Sequence, residues 1–190
     1  SRIRPTWCAT VVFSSLVAVF MTYATVTAKN RGIATPADLW MYYAAGAIGV
    51  RSIGGRIPDR IGPSNLVVPA LAAYASAHLV MAGATTHSMV CIAGLLAGFG
   101  HGYCFPVLTS QVVTRMPEHL RGTGLATFTA IWEISSLGLT PLYGHIADVF
   151  GTAVMFSLSG VVVSIASGLW TLSEHRVQIR ERVPSTAEQR

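Results

Sequence analysis

Charge is what this sequence has least of. Lys, Arg, Asp and Glu together make 11% of the 190 residues, against 52% hydrophobic ones. A soluble domain carries roughly 25% charge, so this chain has too little polar side-chain surface to coat a globule of its size. Its mean hydropathy is +0.53. Acids are scarcer than bases, 8 against 13, which gives a net charge of +5. In a soluble protein that balance would invite a nucleic-acid partner. Here no Lys/Arg cluster is interleaved with aromatics, and the bases fall at the ends of apolar runs, so no nucleic-acid partner is expected. Cysteine is also sparse. Cys8, Cys91 and Cys104 all lie within apolar stretches, with neither CxxC nor Cys/His spacing. Buried free thiols are expected, with no disulfide framework. The chain also lacks HExxH, GxSxG, a Walker loop and paired carboxylates. No metal, cofactor or enzymatic activity is therefore expected.

What the chain does have is long apolar runs. Six candidate spans occupy residues 7–27, 37–57, 66–85, 88–110, 123–143 and 152–172. Each is about 20 residues, the length at which an α-helix crosses a hydrocarbon core of about 30 Å. Continuous apolarity without period-two alternation predicts helices rather than barrel strands. The fold class read from this pattern is an all-α membrane protein whose partner is the lipid bilayer. The polar stretch 173–190, with Pro184, Ser185 and Thr186 at its middle, is expected to be a cytoplasmic tail. The chain opens at Ser1 rather than Met and is expected to be a piece of something longer.

Arginines orient the spans. With the N-terminus in the cytoplasm, Arg2, Arg4, Arg56, Arg60, Arg115, Arg121, Arg176, Arg180 and Arg182 fall inside. Only Lys29 and Arg31 fall outside. That asymmetry is the positive-inside bias, and it places both termini in the cytoplasm.

Two short stretches match one another. Residues 55–62 read GRIPDRIG and residues 144–151 read GHIADVFG, so Gly, Ile, Asp and Gly recur in one register 89 positions apart. Three spans separate the copies, which puts them on opposite faces. The spans thus read as two inverted three-helix repeats, an arrangement common in secondary transporters.

These hinges, with the stretches from Gly98 to Pro106 (GFGHGYCFP) and from Pro117 to Gly124 (PEHLRGTG), resemble the C-terminal half of a major facilitator superfamily transporter. The likeness runs to about Trp170. It implies half of a 12-helix fold, the six spans being its helices 7 to 12. It also implies an N-terminal six-helix half as partner and a small-molecule substrate moved by alternating access. Within the superfamily the likeness is nearest to bacterial drug- or sugar-efflux members. That implies proton-coupled efflux across the bacterial inner (plasma) membrane. A non-transporting half-size protein or assembly partner is the rival reading. By the same resemblance, Gly55, Arg56, Asp59, Arg60 and Gly62 form the family's signature loop, which latches one state of the cycle. The plainer reading is a charged turn that fixes topology.

Several residues stand out as candidates for transport chemistry. Glu133 sits near the middle of the fifth span, where a carboxylate is costly unless paired, hydrated or protonated. It could couple protons, or simply hydrogen-bond between helices. Trp132 beside it could wall a substrate. His101, midway along the fourth span, lies among Gly98, Gly100 and Gly102, with Pro106 one turn on. It could relay protons or serve packing. Gly94, Gly98 and Gly102, four residues apart, predict a face for close helix packing. Arg51 could attract an anionic substrate into a cavity or snorkel to the headgroups. In the outer hinge, Gly144, Asp148 and Gly151 match the inner copy, and Asp148 is expected to cap a helix. Asp38 is read as a helix-start acid, His78 as a packing residue, and Tyr42 and Tyr43 as members of the aromatic belt.

Overall fold

The computed structural model describes residues 3–53, 62 and 64–182. Among them are six long α-helices, one 3₁₀ turn and no strand. They are α1 (Arg4–Asn30), α2 (Asp38–Ile53), α3 (Ser64–Ala82), α4 (His87–Arg115), α5 (Arg121–Phe150) and α6 (Thr152–Arg182). Each contains one of the predicted spans in whole or in large part. The ends differ because helix propensity outlasts apolarity. Thus α6 continues through the polar, helix-forming residues from Ser173 to Arg182, into the stretch read as a tail. By length and composition, α1, α3, α4 and α6 are apolar enough to cross a membrane. The described part of α2 is 16 residues long, and α5 carries too many polar and small residues to qualify.

The turns follow from local chemistry. Helix α1 ends in a Schellman motif. Gly32 takes φ +71°, its N–H bonds the Lys29 carbonyl at 2.9 Å, and the Ile33 N–H reaches back to Ala28 at 3.1 Å. Arg31 then does something the sequence did not announce. Its guanidinium donates to the Met81, Ala82 and Ala84 carbonyls at 2.8, 3.1 and 2.9 Å, where α3 ends. Those carbonyls are among the orphan acceptors at a helix C-terminus, where a cation also meets the dipole favourably. At the next turn, Thr86 caps α4 by accepting from the Met89 N–H at 3.3 Å.

Helix α4 is the hub. It lies along α2 on one side and α3 on the other, and touches α1 and α5 over shorter stretches. Helix α3 also packs on α6, while α1 packs on α5 and α6. The glycine face of α4 seats α2. A methyl group on Gly94 or Gly98 would strike the carbonyl of Leu39 or Tyr43, and one on Gly102 would come within 3.2 Å of the Ala47 backbone. Leu39, Tyr43 and Ala47 share the same four-residue step, so two helical ridges mesh without intervening side chains. Gly46 returns the favour from α2, where a methyl group would come within 2.9 Å of the Phe99 nitrogen. Gly100 does the same for α3 against Ala70 and Tyr74. The core between α1, α3 and α6 is aromatic, with Phe20, Tyr74, His78 and Phe156 all fully buried. There His78 Nδ1 bonds Ser159 Oγ at 2.5 Å, tying α3 to α6, in keeping with its reading as a packing residue.

Candidate functional site

Close packing of α2 on α4 brings Tyr43 to His101. The Tyr43 hydroxyl and His101 Nδ1 share a hydrogen bond. Both belong to a cluster of rings drawn from four helices. Phe13 of α1 meets His101 edge-on at 5.5 Å between centroids, and Trp132 of α5 at 5.5 Å. His101 and Trp132 lie 6.2 Å apart, bridged by Phe105, and Phe128 backs Trp132. Arg51 is exposed in the last turn of α2. The arrangement is a polar pair set in an aromatic wall, whose rings suit contact with a flat or apolar group.

The sequence-derived candidates thus divide. His101 and Trp132 come together, although they stand on different helices, while Arg51 stands exposed in the last turn of α2. Glu133 does not join them. It is exposed on the opposite face of α5, which carries Ile134 and Leu137, 71% and 74% exposed. No described helix covers that face. Tyr43, Phe13 and Phe105 were missed. Tyr43 was expected in the interfacial belt, but α2 turns it into the bundle; only Tyr42 is exposed there. Its sole sequence signal was the four-residue step that matches the α4 glycines.

Of the inner hinge, Gly55, Arg56, Asp59 and Arg60 lie outside the described residues. Gly62 is described and takes φ +85°, and its carbonyl accepts from the Asn65 N–H at 3.3 Å. Its counterpart Gly151 takes φ +87°, and its carbonyl accepts from the Met155 N–H at 3.2 Å. Both glycines therefore sit in left-handed backbone at the entry to a helix, where a Cβ would be strained. The rest of the outer copy departs from the expectation. Helix α5 runs unbroken through Gly144 and Asp148 to Phe150. Asp148 lies in its last turn and caps no helix start. The physical reason is that residues 144–150 contain no proline, whereas the inner copy has Pro58. Gly144 serves packing instead, with Tyr23 of α1 against it and the Tyr23 hydroxyl donating to the Thr140 carbonyl at 3.1 Å.

Helices of membrane-crossing length, meshed through glycine and enclosing a polar pair, define an integral membrane protein of the all-α class. The chain belongs to the Major Facilitator Superfamily, whose family model matches residues 2–138. Its relatives carry the same stamp. It is 29% identical over 171 residues to the uncharacterized MFS-type transporter YhhS of Escherichia coli K12, covering 89% of this chain and 41% of that protein. An uncharacterized MFS-type transporter of Pseudomonas aeruginosa UCBPP-PA14 is 29% identical over 153 residues, 76% of this chain and 38% of its own length. One from Salmonella typhimurium LT2 is 25% identical over 122 residues, 64% of this chain and 31% of its own. The chain thus spans about two-fifths of the length of the first of these relatives.

Proposed function

We propose that this chain is the second six-helix half of a secondary transporter that exports a small organic solute by proton-coupled alternating access. In this reading the chain sits in a bacterial inner membrane with both termini cytoplasmic, and an N-terminal six-helix half completes the path. The observation that carries it is the His101 and Tyr43 pair, a polar contact kept within a membrane-spanning bundle. Polar groups at that depth are costly and belong where solute or ions pass. The six helices form one transmembrane unit of two inverted three-helix repeats. Two features support the repeat. Exchanging α1 with α4, α2 with α5 and α3 with α6 maps the main pairings of α4, with α2 and α3, onto those of α1, with α5 and α6. The last hinge glycines also share their left-handed backbone.

The roles divide by location. His101, Tyr43, Trp132 and Arg51 contact the solute. Glu133 carries the coupling proton from the free face of α5. A carboxylate facing lipid would be heavily penalised, so this face is assigned to the other half and to water. In proteoliposomes of the complete transporter, Glu133→Gln is expected to abolish uptake driven by an imposed pH gradient while leaving solute binding within about threefold. Coupled transport that survives the substitution removes Glu133 from the mechanism. The inner loop from Gly55 to Gly62 acts as the latch. Asp59→Asn should slow exchange without impairing membrane insertion, and an unchanged rate in normally inserted protein would show the loop to be a topological turn only.

A further inference from the structure

A second site lies away from the ring cluster, where α1 begins and α6 approaches its end. Arg4, Cys8 and Val12 of α1, Leu71 of α3, and Ala166 and Trp170 of α6 line a groove of about 380 Å³. Its walls are almost wholly apolar. Trp170 is buried against it, and Cys8 and Arg4 are exposed at its open side. The groove adjoins the outer surface of α6, where Leu158, Val161, Ile165 and Leu172 are exposed at 46, 53, 60 and 62%. That surface carries neither acid nor base from Thr152 to Leu172, unlike the free face of α5 with its Glu133. An uncharged Leu/Val/Ile surface on a membrane helix meets acyl chains.

The groove's one charge is cationic, and it sits at the end of α1 that the arginine census assigns to headgroup level. Two other bases at this end are engaged. Arg115 donates to Thr6 Oγ1 at 3.2 Å, and Arg121 to the Val113 carbonyl at 3.2 Å. Arg4 has no hydrogen-bond or ion-pair partner among the described residues. We propose that the groove holds one acyl chain of an anionic phospholipid, with the lipid phosphate on Arg4. The occupant is a membrane lipid because the site combines a dry, chain-shaped wall with a cation at its mouth. A guanidinium matches phosphate in geometry and charge.

Cys8 gives the test its handle. It is exposed in the groove, whereas Cys91 and Cys104 are buried. The 190-residue chain in uncharged detergent would be titrated with dioleoyl phosphatidylglycerol or dioleoyl phosphatidylcholine, and alkylation of Cys8 by N-ethylmaleimide followed by mass spectrometry. Phosphatidylglycerol should protect Cys8 at about fivefold lower mole fraction, the preference one arginine near a headgroup confers. Arg4→Gln should erase the preference and Arg4→Lys retain it. In the unaltered chain the preference should fall as salt rises, which keeps the test independent of any substitution. Equal protection by the two lipids overturns the proposal, as does a preference that survives Arg4→Gln. Protection by glycerol phosphate, which has the headgroup chemistry without the chain, overturns it too.

Discussion

At the scale of single residues, the decisive contact is the one between Tyr43 and His101. A half-buried hydroxyl and imidazole satisfy one another, and removing one strands the other. An unsatisfied buried polar group costs about 1–3 kcal/mol. Tyr43→Phe should therefore lower the melting temperature of the chain in detergent, and solute binding should weaken with it. Tyr42→Phe, on an exposed ring one position earlier, should change neither. Equal effects from the two substitutions would mean that the pair contributes nothing. His101 was legible in the sequence because a histidine among glycines in an apolar run is conspicuous. Tyr43 was not, because a tyrosine near the start of a span looks like an interfacial anchor until its neighbour is known. Glu133 shows the complementary limit. Its depth in the membrane followed from counting residues, but the face of α5 it occupies depends on which side of that helix meets α1 and α6.

At the scale of elements, the bundle is held by small residues. Gly94, Gly98 and Gly102 let α4 approach α2 until the backbones touch, whereas in the pairing of α1 with α5 Gly144 is the one glycine among the described residues in a comparable role. Gly98→Ala would drive a methyl into the Tyr43 carbonyl and force the helices apart. We expect a loss of about 1–3 kcal/mol, the range for overpacking, or no folded protein at all. Gly49→Ala, in the same α2 but with open space around it, should be neutral or stabilising by up to about 1 kcal/mol through helix propensity. Thermal unfolding of the two variants side by side checks this, and similar stabilities would refute the glycine seam. The four-residue step of the glycines was plain in the sequence. Its target on α2 was not, because Leu39, Tyr43 and Ala47 share only spacing, and spacing alone does not name a partner. Helix ends were the least legible feature, since polar helix-formers carry α6 past its apolar run and α5 meets no proline from Gly144 to Phe150.

At the scale of the whole molecule, the chain presents two unlike surfaces. The free face of α5 mixes Glu133 with Ile134 and Leu137, whereas the outer face of α6 carries no charge from Thr152 to Leu172. In the proposed reading the first faces the other half and water, the second lipid. In the complete transporter, with Cys8 replaced by serine, Glu133→Cys should react with a membrane-impermeant maleimide and Ile165→Cys should not. Reaction at both positions, or at neither, would collapse the distinction.

The sequence by itself determined the membrane and the all-helical class, because apolar run length and scarcity of charge are properties of a chain rather than of a fold. It also determined the family likeness and the glycine step. Tertiary structure decided which side chains meet. It turned Tyr43 inward to His101, brought Trp132 to His101 beside Phe13 and Phe105, and left Glu133 on a free face. It made Arg31 the cap of a helix 50 residues away. It also showed that the outer hinge is helix up to its final glycine. The reason is physical. Hydrophobicity and backbone preference are local and additive along a chain, whereas the rotation of one helix against another is set by how their ridges mesh, which no single segment encodes.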